Sequence, residues 1–171
     1  HDALPISVCF DDFGTVFDVN EYADGERWHQ SGARLIGRDT VQHAHHVSYD
    51  FGWEPGTRRA RGFTLTYEFA DSQAHMVFTP IVHFQMSGLG YLHPEWGHGF
   101  WKGELAVAAD RFALPVSEPL APHYLHVQTL SSVECTTSDG KVHKGIGVLE
   151  TLVIGAHSPS GFSGLIDGYQ P

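Results

Sequence analysis

The stretch GYLHPEWGHGFWKGEL, Gly90 to Leu105, gathers His93, His98, Glu95, Glu104, Trp96 and Trp101 within sixteen residues. An imidazole beside a carboxylate is the standard apparatus of proton transfer near neutral pH, because the carboxylate fixes the ring's tautomer and tunes its pKa. His93, Glu95 and His98 are therefore the expected catalytic residues. Tyr91, Trp96 and Trp101 are expected to wall the site and stack on an unsaturated ligand. Glycines at 88, 90, 97, 99 and 103 permit sharp turns and close backbone approach. The same pattern also describes a turn in which the polar groups only hold backbone, and the segment by itself leaves both readings open.

Metal chemistry fits these residues less well. A zincin needs H-E-x-x-H on a helix, whereas the order here is His93-Pro94-Glu95-Trp96-Gly97-His98, with the histidines at i and i+5 and a helix-breaking proline between them. The H-x-E of a zinc deaminase is matched at His93-Pro94-Glu95, but its P-C-x-x-C partner is missing. A cupin-type pair exists at His43-Ala44-His45, yet Tyr49 and Asp50 stand where a ligating glutamate is needed. Ligation by His43, His45 and one of His75, His83 or His98 is a minor alternative, and no metal or cofactor is expected.

The elements that must position these groups read as β-strands nearly throughout. Residues 39–51 alternate, placing Val41, His43, His45, Val47, Tyr49 and Phe51 on one face. Residues 61–70 set Phe63, Leu65, Tyr67 and Phe69 against Thr64, Thr66 and Glu68. Residues 74–86 are apolar on both faces and should be well buried, with Pro80 marking an edge or a bulge. His75 and His83 there share a face with Val77, Thr79 and Ile81. Residues 100–112, 123–135 and 141–157 are further strands, the last two joined by a hairpin turn at TSDGK. At the front, PISVCF, DDFGT and VFDVNEY form a hairpin followed by the strand ERWHQSGARLIG. About nine strands separated by Asp-Gly and Pro-Gly turns predict an all-β antiparallel meander closing into a barrel, with a two-sheet β-sandwich as the alternative. The domain is expected to span 1–157, with 158–171 as a C-terminal tail. Such a barrel encloses one small apolar ligand if side chains do not fill it. His43, His45, Tyr49 and His83 are expected to face that ligand.

Composition narrows the partners. With 20 acidic against 10 basic residues, the net charge is −10, which argues against nucleic acid. The one tight basic cluster, Arg58, Arg59 and Arg61, reads as a solvated strand start, or else as a site for a carboxylate. Thirteen histidines make charge, and with it solubility, pH-dependent. Cys9 and Cys135 are open to pairing but form no disulfide framework. No membrane span is expected, and the cytoplasm is the expected location. The chain opens at His1, which suggests a piece of something longer.

The block GLGYLHPEWGHGFWKGEL, with SVCFDDFGT upstream and GIGVLE near the end, resembles the C-terminal half of a group of uncharacterised bacterial proteins. These are similar to the two-domain lipocalin-like proteins that include hydroxyneurosporene synthase and the AttH family. The resemblance implies a pocket for a lipophilic small molecule and cofactor-independent acid/base chemistry of hydratase, isomerase or lyase type. It also implies a second lipocalin-like domain, or a homodimer in its place. A non-catalytic carrier of the same ligand is the alternative.

Overall fold

Alternation of the kind seen in GFTLTYEF suits a pleated surface with one face in water and one in the core, and it recurs along the chain. The computed structural model describes residues 2, 3, 5–85, 93–97, 99–111, 113, 114, 116–118, 120 and 125–171. Its strands are β1 (Asp2–Ala3), β2 (Ile6–Cys9), β3 (Phe13–Glu21), β4 (Arg27–Ile36) and β5 (Thr40–His43). They continue as β6 (His46–Trp53), β7 (Ala60–Glu68), β8 (Gln73–Gln85), β9 (His126–Thr137) and β10 (Val142–Val153). All pairings are antiparallel, in the order β5-β4-β3-β1-β10-β9-β8-β7-β6, with β2 between β3 and β10. The fold is an all-β meander curled into a barrel-like form, as expected. No helix among the described residues is long and apolar enough to cross a membrane.

The two ends of the sheet meet in one bent run. β5 pairs with β4 and β6 with β7, and the chain turns between them at Ala44–His45. There the Ala44 amide donates to the Gly32 carbonyl at 2.9 Å and the His45 amide to the Glu68 carbonyl at 2.7 Å. The Gln30 side-chain amide donates across the seam to the Val47 carbonyl at 2.7 Å. Gly32 is what lets β4 close so tightly, because a Cβ there would sit 2.7 Å from a Val47 methyl.

That bend corrects one expectation. Val41, His43 and His45 are exposed, whereas Val47 is buried and Tyr49 and Phe51 are half-buried against the core. The corner reverses the alternation, so the predicted shared face of His43, His45 and Tyr49 does not form. A second reversal lies in β8, where the register shifts between Pro80 and Val82. Before it, Ala74, Met76 and Phe78 point inward; after it, His83 and Gln85 do, while His75 is exposed. Pro80 sits just beyond the last β7 partner at Phe78, where its missing N–H costs no ladder bond. Val77, Ile81, Val82 and Phe84 are exposed, so β8 has one wet face rather than two buried ones.

The main core joins Phe17, Phe63, Leu65, Tyr67, Met76, Phe78, Val133 and Leu149, among others. Cys135 lies within it and Cys9 is exposed, so the two thiols are free and far from pairing. Residues 100–111 form no strand: β8 and β9 pair with each other directly, Gln85 opposite Val127, and residues 100–111 lie outside the sheet.

The tail is no loose appendage either. Phe162 is buried against Trp53 and Val153, and residues 168–169 run beside the turn at 54–57. There the Gly56 amide donates to the Tyr169 carbonyl and the Tyr169 amide to the Thr57 carbonyl, each at 2.9 Å. Gly168 permits this approach, since a side chain would meet the Gly56 backbone. Arg58, read from sequence as solvated or as a ligand site, is instead 2% exposed and pins the tail.

Candidate functional site

Within the segment that looked most chemical, residues 93–96 are built as a turn. The His93 Nδ1 accepts the backbone amides of Glu95 at 3.1 Å and Trp96 at 3.0 Å, so this nitrogen is committed to backbone. Glu95 is exposed, and Trp101 is 80% exposed. Trp96 is half-buried, with the Lys102 ammonium 5.9 Å from its ring. His98 and Tyr91 lie outside the described residues. Among the described residues no three metal-ligating side chains come together, and His43, His45 and His75 are exposed and apart from His83.

His83 faces inward and meets protein. Its Nδ1 lies 3.0 Å from the Thr129 hydroxyl and its Nε2 3.2 Å from Glu54 Oε1, while the other oxygen of that carboxylate accepts Arg59 Nε at 2.9 Å. Burial lowers the pKa of His83, Glu54 opposes this and Arg59 adds to it. The folded-state pKa thus lies below the unfolded value of about 6.5. The folded state favours the neutral ring, so its contribution to stability is complete above that value and is lost as pH falls below it towards the folded pKa. Denaturation midpoints should therefore fall between pH 7 and 5, and less steeply in His83→Gln; equal slopes would show that His83 contributes nothing.

Side chains of greater chemical interest converge at one mouth of the barrel. Glu21 ends β3 and Arg27 begins β4, on either side of a tight turn in which Gly25 N–H donates to the Tyr22 carbonyl. Tyr49, Phe51 and Trp53 come from β6, Val153 from the end of β10, and His157, Pro159 and Ser160 from the tail. Together with Gly25 and Asp50 they line a cleft of about 270 Å³.

Glu21 is buried and is the hub. It accepts Arg27 Nε at 3.0 Å and the Tyr49 hydroxyl on one oxygen, and faces His157 Nε2 at 3.2 Å with the other. The remaining ring nitrogen of His157, Nδ1, lies 2.8 Å from the Ser160 hydroxyl. With Nε2–H donating to the carboxylate, Nδ1 is the acceptor and Ser160 the donor. The result is a Glu21–His157–Ser160 chain whose outer end borders the cleft. Burial first, then the bond to Glu21, holds the Tyr49 hydroxyl well above the phenol range, so it stays protonated as a donor. Burial alone would lower Arg27, but Glu21 and Tyr49 outweigh it and hold the guanidinium above its ordinary value.

The β6 wall is aromatic. Ring centroids run 5.3 Å from Tyr49 to Phe51, 5.8 Å from Phe51 to Trp53 and 5.2 Å from Trp53 to Phe162, while Arg27 lies over Tyr49 at 4.7 Å. A depression of about 400 Å³ at the far pole and a groove of about 470 Å³ beside β2 are larger. The first is rimmed by exposed turn residues such as Asp12, Asp71 and Asp139. Neither gathers buried titratable groups as the mouth does.

Of the sequence-predicted ligand residues among the described ones, only Tyr49 lines this cleft. Glu21, Arg27, His157 and Ser160 were missed. Glu21 and Arg27 flank the Asp24-Gly25 turn, which gave a local signal of proximity. His157 and Ser160 lie where an apolar strand gives way to Ser-Pro-Ser, and nothing local ties them to a glutamate 136 positions earlier.

Residues 4–163 match the model of a family of unknown function, DUF8625, and the chain belongs to that family. No curated protein and no solved structure matches it.

Proposed function

We propose that this family member binds a small hydrophobic, unsaturated or cyclic molecule in the barrel-mouth cleft and moves a proton on it without a cofactor. The carrying observation is the buried Glu21–His157–Ser160 chain facing an aromatic wall. A ring lying against Tyr49, Phe51 and Trp53 brings its acidic C–H towards Ser160. The Ser160 oxygen takes that proton as its own passes to His157 Nδ1, and Glu21 stabilises the imidazolium that results. Arg27 offers positive charge to the anion that develops on the ligand.

The same chain also suggests acyl transfer with Ser160 as nucleophile. An oxyanion needs nearby free donors, however, and the local amides are spent: Ser160 and Phe162 N–H donate to the His157 carbonyl, and Gly161 N–H to that of Ser158. Proton transfer is the better reading.

The test is elimination of 5-nitrobenzisoxazole, an aromatic probe whose C–H proton leaves to a base as its N–O bond breaks, giving a coloured phenolate. A saturable rate at least about tenfold above that of free imidazole is expected, and His157→Gln should return it to background. A rate indifferent to His157→Gln would overturn the proposal, whereas saturable binding without turnover would leave a carrier.

The lipocalin-like kinship and the second-domain or homodimer partner belong to the same proposal. What supports a partner is the outer face, where Val82, Leu130, Val148, Ser7 and Val16 form one cross-strand row with Val82, Leu130 and Val16 exposed.

A further inference from the structure

Two buried polar atoms beneath the cleft have no hydrogen-bond partner among the described residues, Gln85 Oε1 and Thr151 Oγ1. Their residues are 2% and 1% exposed. Register places them together: Gln85 is opposite Val127 on β9, and Val127 opposite Thr151 on β10. All three point inward, like Val133 and Leu149 at even spacing along the same strands. Thr151 stands two residues below Val153, which lines the cleft, so it lies one inward layer, about 6.6 Å, deeper. Gln85 follows it two strand spacings away, about 9.6 Å between backbones, with the smaller Val127 between them.

An unpaired buried polar group costs the folded protein about 1–3 kcal/mol. The sheet bears that cost twice in one row, directly below a cleft whose other wall is aromatic. We infer that the ligand is a neutral alcohol whose hydroxyl reaches this row, donating to Gln85 Oε1 and accepting from Thr151 Oγ1. A carboxylate cannot donate to the glutamine oxygen, and a hydrocarbon satisfies neither atom. A hydroxyl is both donor and acceptor on one atom and so serves both. The inference rests on the cleft being the ligand site.

Three probes of one shape decide it: 2-naphthol, 2-methylnaphthalene and 2-naphthoate, titrated at pH 7 against the whole chain. Naphthol should bind at least about tenfold more tightly than methylnaphthalene, and naphthoate most weakly. Thr151→Val and Gln85→Met should bring naphthol down to the methylnaphthalene level and leave methylnaphthalene unchanged. Both variants remove an unpaired polar group, so their melting temperatures should equal or exceed the wild type's. Equal affinity for naphthol and methylnaphthalene in the wild type, or a preference for naphthoate, would overturn the alcohol while leaving the cleft in place. Failure of all three probes to saturate would remove the cleft itself and this inference with it.

Discussion

Arg58→Met should cost about 3–5 kcal/mol of folding stability, among the largest losses a single substitution can cause in this chain. All five guanidinium N–H donors are used: Nε to the Asp167 carbonyl at 2.7 Å, one terminal nitrogen to the carbonyls of Val153 and Gly155 at 3.0 and 2.9 Å, and the other to the Gly164 carbonyl at 3.1 Å and the Asp167 carboxylate at 2.6 Å. The group also packs over the Phe162 ring at 4.3 Å. Methionine fills much of the volume but strands four carbonyls and one carboxylate. Arg58→Lys keeps the charge and loses the planar fork, so it should fall between the two. Urea denaturation gives the midpoints, and hydrogen exchange of residues 155–169 should rise in the variants before the rest of the sheet unfolds. A midpoint within experimental scatter of the wild type would refute the pinning of the tail by Arg58. The Ser163 amide, then the Gly164 amide and Arg58, hold the Asp167 carboxyl well below the usual carboxylate range. Its contribution is therefore present above about pH 4 and lost as pH falls through the folded value.

Glu21→Gln should cost about 3 kcal/mol and should also lower elimination of the benzisoxazole to background. The carboxylate serves Arg27, Tyr49 and His157 together. An amide has one acceptor oxygen in place of two, and its NH2 faces donors. His157 would lose the partner that orients its ring and fixes Nδ1 as the acceptor. Arg27 is partly exposed and recovers solvation, while His157 and Tyr49 are more enclosed and recover less. A useful control is Glu21→Asp, which keeps the charge and shortens the reach, and should restore part of the stability but little of the rate. If Glu21→Gln lost stability and kept full rate, the glutamate would be structural only.

Much of the sheet was legible because alternation is local. Phe63, Leu65, Tyr67 and Phe69 were assigned inward from β7's own sequence, and the turn at Thr137–Lys141 was legible from Asp-Gly. The two parity reversals were not. At Ala44–His45 the strand changes partners, and at Pro80–Ile81 one residue drops out of register; both depend on which strand lies alongside. His43 and His45 were therefore expected to face the ligand when they point out, and His75 does not share the face of His83. FWKGELAVAADRF has a strand's composition, but β8 and β9 take each other as partners and leave residues 100–111 none. The chemistry was least legible of all. His93 and Glu95 are close in sequence because they share a turn, whereas Glu21, Tyr49 and His157 meet only because β3, β6 and the end of β10 reach the same mouth.

The central claim is that this mouth, and not the segment around His93, receives the ligand. Side-chain NMR of the histidine rings and tryptophan indoles during titration with 2-naphthol tests it most directly. The largest shifts should fall on His157 and Trp53, saturate together, and vanish in Glu21→Gln. Shifts centred on His93, Trp96 and Trp101, with His157 and Trp53 unmoved, would contradict the account.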